Sequence, residues 1–182
     1  MTKLISCAET AKMIRMALKE AFPGIKFSVR TSTYSGGASI SLCWTDGPNV
    51  AQVEAVTNIF KGAYFDGSID YQGNRFAMLD GVRVSFGSDY IHTKRQHSRA
   101  ACERTLARVG RRFGASAIQD ARISGSDEYG YSISARDYDY QRVFNSELYK
   151  HSDRLRVAAS KTAGKIVYLG NDGYSDVAAL QA

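Results

Sequence analysis

Side chains able to make or break bonds are few and scattered along this sequence of 182 residues. The cysteines, Cys7, Cys43 and Cys102, stand far apart and are odd in number. That speaks against a disulfide framework and fits a reducing compartment. Cys7 falls where a helix should begin, a position that favours thiolate, yet no His or Asp stands beside it to act as a base. Cys43 and Cys102 fall within elements, as structural thiols do. His92, His97 and Cys102 could be strung into a metal set, but they straddle a strand end and a helix, and a fourth ligand is missing. Asp137 and Asp139 flank Tyr138 and could hold a cation; the simpler role is to cap a helix and place negative charge on its first turn. No Cys-x-x-Cys, His-Glu-x-x-His, Walker A or Gly-x-Ser-x-Gly pattern occurs. The expectation is a protein without catalytic residues, metal or other cofactor.

Binding chemistry is better represented. The formal charge is +6. Residues 94 to 112 carry Lys94, Arg95, Arg99, Arg104, Arg108, Arg111 and Arg112 against Glu103 alone, which accounts for the whole excess. The 24 basic residues less these seven, and the 18 acidic residues less Glu103, leave 17 of each elsewhere. Like charges four apart on a helix, Arg104 with Arg108 and Arg108 with Arg112, cost about 0.2–0.5 kcal/mol each. Such a stripe is either a solvated face or the complement of a negatively charged partner. Arginine suits phosphate because its planar fork makes paired hydrogen bonds. Tyr129, Tyr131, Tyr138, Tyr140 and Tyr149 crowd the region that follows. Tyr129 and Tyr131, two apart on one strand, should share a sheet face. There they form a contact platform, stack on bases, or close over the core with their hydroxyls at its rim.

The elements that position these groups follow from periodicity and punctuation. Ser6-Cys7-Ala8-Glu9 is a capping box. The helix after it should run to about Phe22, with Ala11, Ile14, Leu18 and Phe22 inward, until Pro23-Gly24 stops it. Ile25, Phe27 and Val29 alternate with polar residues, Ser35-Gly36-Gly37 turns the chain, and Ala38 to Trp44 returns as the second strand of a hairpin. Trp44 lies on the apolar side. Asp46-Gly47-Pro48-Asn49 opens a second helix to about Phe60, with Gly62 as its cap. Residues 63 to 79 read as a strand with loops, and strands follow at Val82 to Phe86 and Tyr90 to Arg95. Ser98 caps a third helix to about Phe113. It places Cys102, Leu106, Val109 and Phe113 on one stripe and Arg104, Arg108, Arg111 and Arg112 opposite. Strands at 118–123 and 129–135 flank a turn at Gly125-Ser126-Asp127, and a helix runs from about Asp139 to Lys150. A short helix within 152–163, a strand at 166–169 and a mobile tail beyond Gly170 complete the chain.

This order lacks the regular alternation of a doubly wound parallel sheet. The expected class is α+β, with antiparallel β-hairpins covered by helices. Helix, hairpin, helix occurs twice, as a repeated unit would show. The chain divides as 1–90 and 91–182, or forms one continuous domain. No apolar run approaches a membrane span, and the first residues have no leader-like stretch, so a cytoplasmic protein is expected.

Particular runs carry a family resemblance. They are Leu4-Ile5-Ser6-Cys7-Ala8-Glu9-Thr10-Ala11, then Ala21-Phe22-Pro23-Gly24-Ile25-Lys26-Phe27-Ser28-Val29-Arg30 and Tyr34-Ser35-Gly36-Gly37-Ala38-Ser39-Ile40. Trp44-Thr45-Asp46-Gly47-Pro48, Phe60-Lys61-Gly62 and Phe65-Asp66-Gly67 continue the pattern. Together they resemble large polyvalent protein associated domain 29 over roughly residues 4 to 90. The resemblance implies a setting among phages, plasmids and conjugative elements, where such domains are thought to protect incoming DNA from host defences. It supplies no catalytic residues. It implies a counter-defence factor in the host bacterial cytoplasm, an anti-CRISPR type of inhibitor. Such a factor would bind a host defence ribonucleoprotein, a CRISPR effector subunit, or its nucleic acid. The binding residues are expected to be Lys94, Arg95, Arg104, Arg108, Arg111, Arg112, Tyr129 and Tyr131. A basic surface has the wrong sign for a DNA mimic, so the protein should meet phosphate backbone or an acidic patch. The alternative is a DNA- or RNA-binding accessory of plasmid or phage transfer.

Overall fold

A computed structural model describes residues 1–150 and 157–172. In chain order the elements are β1 (Lys3–Ile5), α1 (Cys7–Ala21), β2 (Phe27–Tyr34), β3 (Gly37–Thr45), α2 (Val50–Thr57), β4 (Ala63–Asp66), β5 (Tyr71–Leu79), β6 (Val82–Phe86) and β7 (Tyr90–Gln96). Then come α3 (Arg99–Phe113), β8 (Arg122–Ser126), β9 (Gly130–Ser134), α4 (Tyr138–Lys150), α5 (Lys161–Gly164) and β10 (Ile166–Asn171). The class is α+β, with several sheets. Two compact units interleave along the chain: Met1–Leu42, Ala51–Thr93 and Val157–Ala182 form the first, Cys43–Val50 and Lys94–Arg156 the second. The division cuts β3 between Leu42 and Cys43, and β7 between Thr93 and Lys94.

In the first unit, the expected capping box closes α1. The Ser6 amide donates to Glu9 Oε2 at 3.0 Å and the Glu9 amide donates to Ser6 Oγ at 3.2 Å. The helix buries Cys7, Thr10, Ala11, Ile14, Ala17, Leu18 and Ala21, the stripe its three- and four-residue spacing dictates. β5 organises a five-stranded sheet, pairing antiparallel with β4 through Tyr71 to Asn74 and with β6 and β10 further along. β1 joins β6 in parallel, Ile5 opposite Phe86. This parallel pair adds to the expected antiparallel hairpins a strand that sequence reading did not find, because three residues are too short to show a period. Gly62 is likewise not a helix cap. The helix ends through a 3-10 turn at Asn58–Phe60. Gly62 instead donates to Ser88 O at 2.8 Å and runs so close to the Phe86 carbonyl that a Cβ would strike it.

The second unit packs α3, α4 and the β8–β9 hairpin around Cys102, Val109, Ala117, Ile133, Phe144 and Leu148. Ser98 caps α3, as expected, and Gly114 ends it at φ +89°. The strand expected at 118–123 begins only at Arg122. Residues 115–117 make a 3-10 turn, and Ile118 sits against α3, where a Cβ at Gly110 would lie 2.9 Å from Ile118 Cδ1. An apolar residue here serves helix packing, with no strand to alternate in. Trp44 is buried as expected, its Nε1 donating to Pro48 O at 2.9 Å. Within 152–163 only residues from 157 on are described, and there the helix is α5; the tail from residue 173 lies outside the described residues.

In the first unit Glu20 fastens α5 to α1, its carboxylate accepting from Ser160 Oγ at 2.8 Å, Thr162 N at 2.9 Å and Thr162 Oγ1 at 3.0 Å. These bonds, the Thr162 amide first, hold the Glu20 carboxyl below its ordinary pKa. A lowered folded pKa stabilises the fastened state above the ordinary carboxylate range, and that stabilisation fades as pH falls through the lowered value. Protection factors of the α5 amides, taken against the intrinsic exchange rate at each pH, should therefore fall on acidification, and Glu20→Gln should make them low and nearly pH-independent in that range. Unchanged exchange in Glu20→Gln would show that α5 is held otherwise.

Candidate nucleic-acid interface

α3 carries its arginines in an arrangement that its own burial dictates. Cys102, Thr105 and Val109 are the buried residues, and successive residues turn by about 100°. Arg104 and Arg111 then lie roughly 130–155° from the core line, while Arg108 and Arg112 lie at about 50–95°, on the flank that meets α4. There Glu147 receives both: Arg108 Nη1 approaches Oε2 at 3.2 Å and Arg112 Nη1 approaches Oε1 at 3.7 Å. The Glu147 side chain is 11% exposed, Arg108 30% and Arg112 65%. Arg99 pairs with Glu103 one turn on, at 3.0 Å. The uniform outward stripe is thus corrected to two groups. Arg108 and Arg112 share a carboxylate that crosses from α4 and relieves their mutual repulsion. Arg104 and Arg111 face outward, both exposed, with no carboxylate partner among the described residues. Phe113, expected inward, is largely exposed, and the Arg112 guanidinium lies 5.0 Å from its ring centre.

Lys94 and Arg95 belong to β7, so their side chains leave opposite faces of a strand and do not extend the helical row. Lys94 is exposed. Arg95 donates from Nε to Asp46 O and from Nη1 to Leu148 O, each at 3.4 Å. The tyrosine pair separates as well. β9 begins at Gly130, so Tyr129 stands exposed in the turn while Tyr131 packs half-buried on the core with Ile133. Desolvation, then a hydrogen bond and the charge of Asp127, hold the Tyr131 phenol above its ordinary pKa. The two tyrosines form no common platform. Asp137 caps α4, its Oδ1 accepting from Asp139 N at 2.8 Å and Tyr140 N at 3.3 Å.

Two cavities matter for binding. One, of about 310 Å³ in the first unit, is lined by Lys61, Tyr64, Phe65, Arg75, Tyr90 and His92, among others. Several of its polar groups are engaged: Tyr90 donates to Gln72 Oε1 at 2.6 Å, Arg75 Nη1 donates to Asn58 O at 3.2 Å, and Tyr64 donates to Asp172 O at 2.9 Å. The other, of about 240 Å³ in the second unit, has Arg95, His97, Arg104 and Thr105 in its wall beside Asp46. Burial, and then the charge of Arg95, hold the His97 imidazole below its ordinary pKa. Asp46, read in the sequence only as part of the run that opens the second helix, holds the start of α3 instead. Its backbone lies at φ +56°, and its two carboxylate oxygens accept from Ser98 N at 3.0 Å and Ser98 Oγ at 2.6 Å. Among the described residues no three His, Cys, Asp or Glu side chains gather as metal ligands would. No helix among them is long and apolar enough to cross a membrane.

Residues 5–98 match large polyvalent protein associated domain 29. The chain belongs to this family. No curated protein and no solved structure matches it. The domain-29 region ends on Ser98, the residue that caps α3. Asp46, Lys94, Arg95 and His97 therefore lie inside the family region, and Arg104, Arg108, Arg111, Arg112 and Glu147 lie beyond it.

Two outcomes test this arrangement. Glu147→Gln leaves two guanidinium groups facing a neutral amide and should lower the stability of the second unit by about 1–3 kcal/mol. Trp44, the one tryptophan, lies in that unit, so its fluorescence in urea reads the change. An unaltered midpoint would mean that the carboxylate does not hold the two helices. Separately, burial raises the Cys7 thiol above its ordinary pKa, with Asp89 adding to the effect, and burial raises Cys102. At Cys7 burial thus works against the helix start, a position that favours thiolate. Iodoacetamide on the native protein should modify Cys43, which is half-buried, and spare the other two, as mass spectrometry would show.

Proposed function

We propose that this domain-29 protein is a non-enzymatic binder of nucleic-acid phosphate, acting in counter-defence for a mobile element. On this reading it inhibits a host nucleoprotein effector of the CRISPR kind by competing for guide RNA or target DNA backbone. One observation carries the proposal. Of the four arginines from Arg104 to Arg112 on α3, two share the single carboxylate of Glu147 and two, Arg104 and Arg111, are exposed with no carboxylate partner among the described residues. A helix built only for stability would gain by placing acidic residues beside them. The arginine fork fits phosphate oxygens, and the sign of the charge suits a polyanion. The mobile-element setting that the family implies supports the biological half of the reading, and the protonated buried thiols Cys7 and Cys102 support a role without nucleophilic chemistry. The finer account of the fold belongs to the same proposal. Helix, hairpin, helix recurs from α1 to α2 and from α3 to α4, and Ser6 and Ser98 cap the leading helix each time, as copies of one ancestral unit would.

Each phosphate contact contributes about 0.9 to the slope of log K against log salt on duplex DNA. The double variant Arg104→Glu, Arg111→Glu should therefore weaken binding and flatten that slope by about 1.8, with the unfolding midpoint unchanged. A slope that does not move would remove α3 from the interface. In parallel, the purified protein should block target-DNA capture by a guide-loaded CRISPR effector, and the same double variant should release the block. Oligonucleotide binding without any such block would favour the accessory role in transfer.

A further inference from the structure

Among the described residues three buried polar side-chain atoms have no hydrogen-bond partner: His97 Nδ1, Thr105 Oγ1 and Asp172 Oδ1. Two of these residues line the same 240 Å³ cavity of the second unit. Thr105 is 1% exposed. A buried threonine on a helix ordinarily returns its hydroxyl to the carbonyl one turn back. Two others in this chain do so, Thr10 to Ser6 O at 2.9 Å and Thr57 to Val53 O at 3.1 Å. Thr105 does not. An unsatisfied buried hydroxyl costs about 1–3 kcal/mol, which valine in its place would avoid. Two guanidinium groups stand in the cavity wall beside it: Arg104, which has no carboxylate partner among the described residues, and Arg95, which donates to two backbone carbonyls among its contacts. The carboxylate of Asp46 also lines the cavity; its two oxygens accept from Ser98, its charge still acts on His97, and the two guanidinium groups of the wall outnumber it.

We propose that this cavity binds a phosphate group, which accepts hydrogen bonds from the Thr105 hydroxyl, from His97 with its proton on Nδ1, and from the Arg104 guanidinium. Arg95 adds charge to the wall. The volume takes a tetrahedral oxyanion with space for part of its carrier. The orphaned hydroxyl and imidazole nitrogen are neutral, short and fixed, and would register one oxyanion. The exposed arginines would follow a backbone. The inference deepens the reading of α3 as a phosphate-binding face, and for the carrier of that phosphate it rests on that reading.

Inorganic phosphate titrated into the full chain, followed by amide chemical shifts and calorimetry, tests it. Saturable binding is expected, with shifts centred on His97 and Thr105. Thr105→Val removes only a hydroxyl that has no partner, so the unfolding midpoint should not fall, while phosphate binding weakens about tenfold or more. Arg111→Glu, outside the cavity wall, should leave phosphate binding intact. Single-stranded DNA with a 5′-phosphate, compared with its 5′-hydroxyl twin, identifies the carrier. A gain that vanishes in Thr105→Val assigns a terminal phosphate, and equal binding of the two strands assigns the free anion. Absence of saturable phosphate binding, or binding that Thr105→Val leaves intact, would mean that the cavity holds water only and overturns the inference. Oligonucleotide binding through Arg111 could then still stand. Conversely, Thr105-dependent phosphate binding with no oligonucleotide affinity would sink the α3 reading and spare the cavity.

Discussion

The rotation of α3 about its own axis determines what the second unit presents to its surroundings. A helix with five arginines and one glutamate gains little from its exposed face and must be held by what it buries. Cys102, Thr105 and Val109 supply the buried line, and two polar clasps fix the rotation. At the start, Asp46 grips both the amide and the hydroxyl of Ser98, while Ser98 Oγ caps the helix by accepting from Ala101 N at 3.1 Å. Toward the end, Glu147 reaches from α4 to Arg108 and Arg112. A small rotation would break one clasp or the other, so Arg104 and Arg111 have no route inward.

The second clasp also explains an otherwise costly sequence. Arg108 and Arg112 are four apart and repel, and one carboxylate between them turns that repulsion into a shared attraction. The geometry is unequal. Arg108 is mostly covered and close, and Arg112 is mostly in water and distant, so most of the energetic value belongs to the Arg108 contact. One buried carboxylate facing two guanidinium groups still leaves positive charge at the surface. The clasp therefore stiffens the unit without neutralising it, and the face beyond it keeps its sign.

Local signals were legible in the sequence, and long-range ones were not. The capping box at Ser6, the cap at Ser98, the hairpin around Gly36 and the end of α3 at Phe113 each depend on residues close to one another in the chain, and each stands where the pattern placed it. Glu147 lies 39 residues from Arg108, and Asp46 lies 52 from Ser98; nothing in their own neighbourhoods marks them as partners. The same limit hid the parallel strand β1, whose only signature is the pairing it makes with β6. Ile118 and Tyr129 misled for a related reason. Both fit a strand by type, but Ile118 is drawn onto the glycine notch of α3 at Gly110, and Tyr129 falls one residue outside the ladder, in the turn. Alternation predicts which way a strand residue points only once the ends of the strand are known.

Thr105 is the residue that binds these themes together. It sits on the buried line that orients α3, between Arg104, which faces out, and Leu106, which packs on the core. Its position is dictated by packing, yet packing alone would be better served by valine, which has the same shape and no hydroxyl to desolvate. The polar atom is retained where the wall of a cavity also carries two guanidinium groups and a second orphaned polar atom, while the carboxylate of Asp46 in that wall is held by Ser98, the residue that caps the helix. A site assembled for stability would have brought that carboxylate to the arginines. The chain instead binds both Asp46 oxygens to Ser98, which fixes the helix and leaves Arg104 without a carboxylate partner among the described residues. The same contact that orients α3 thus sets Thr105 and Arg104 side by side in the cavity wall.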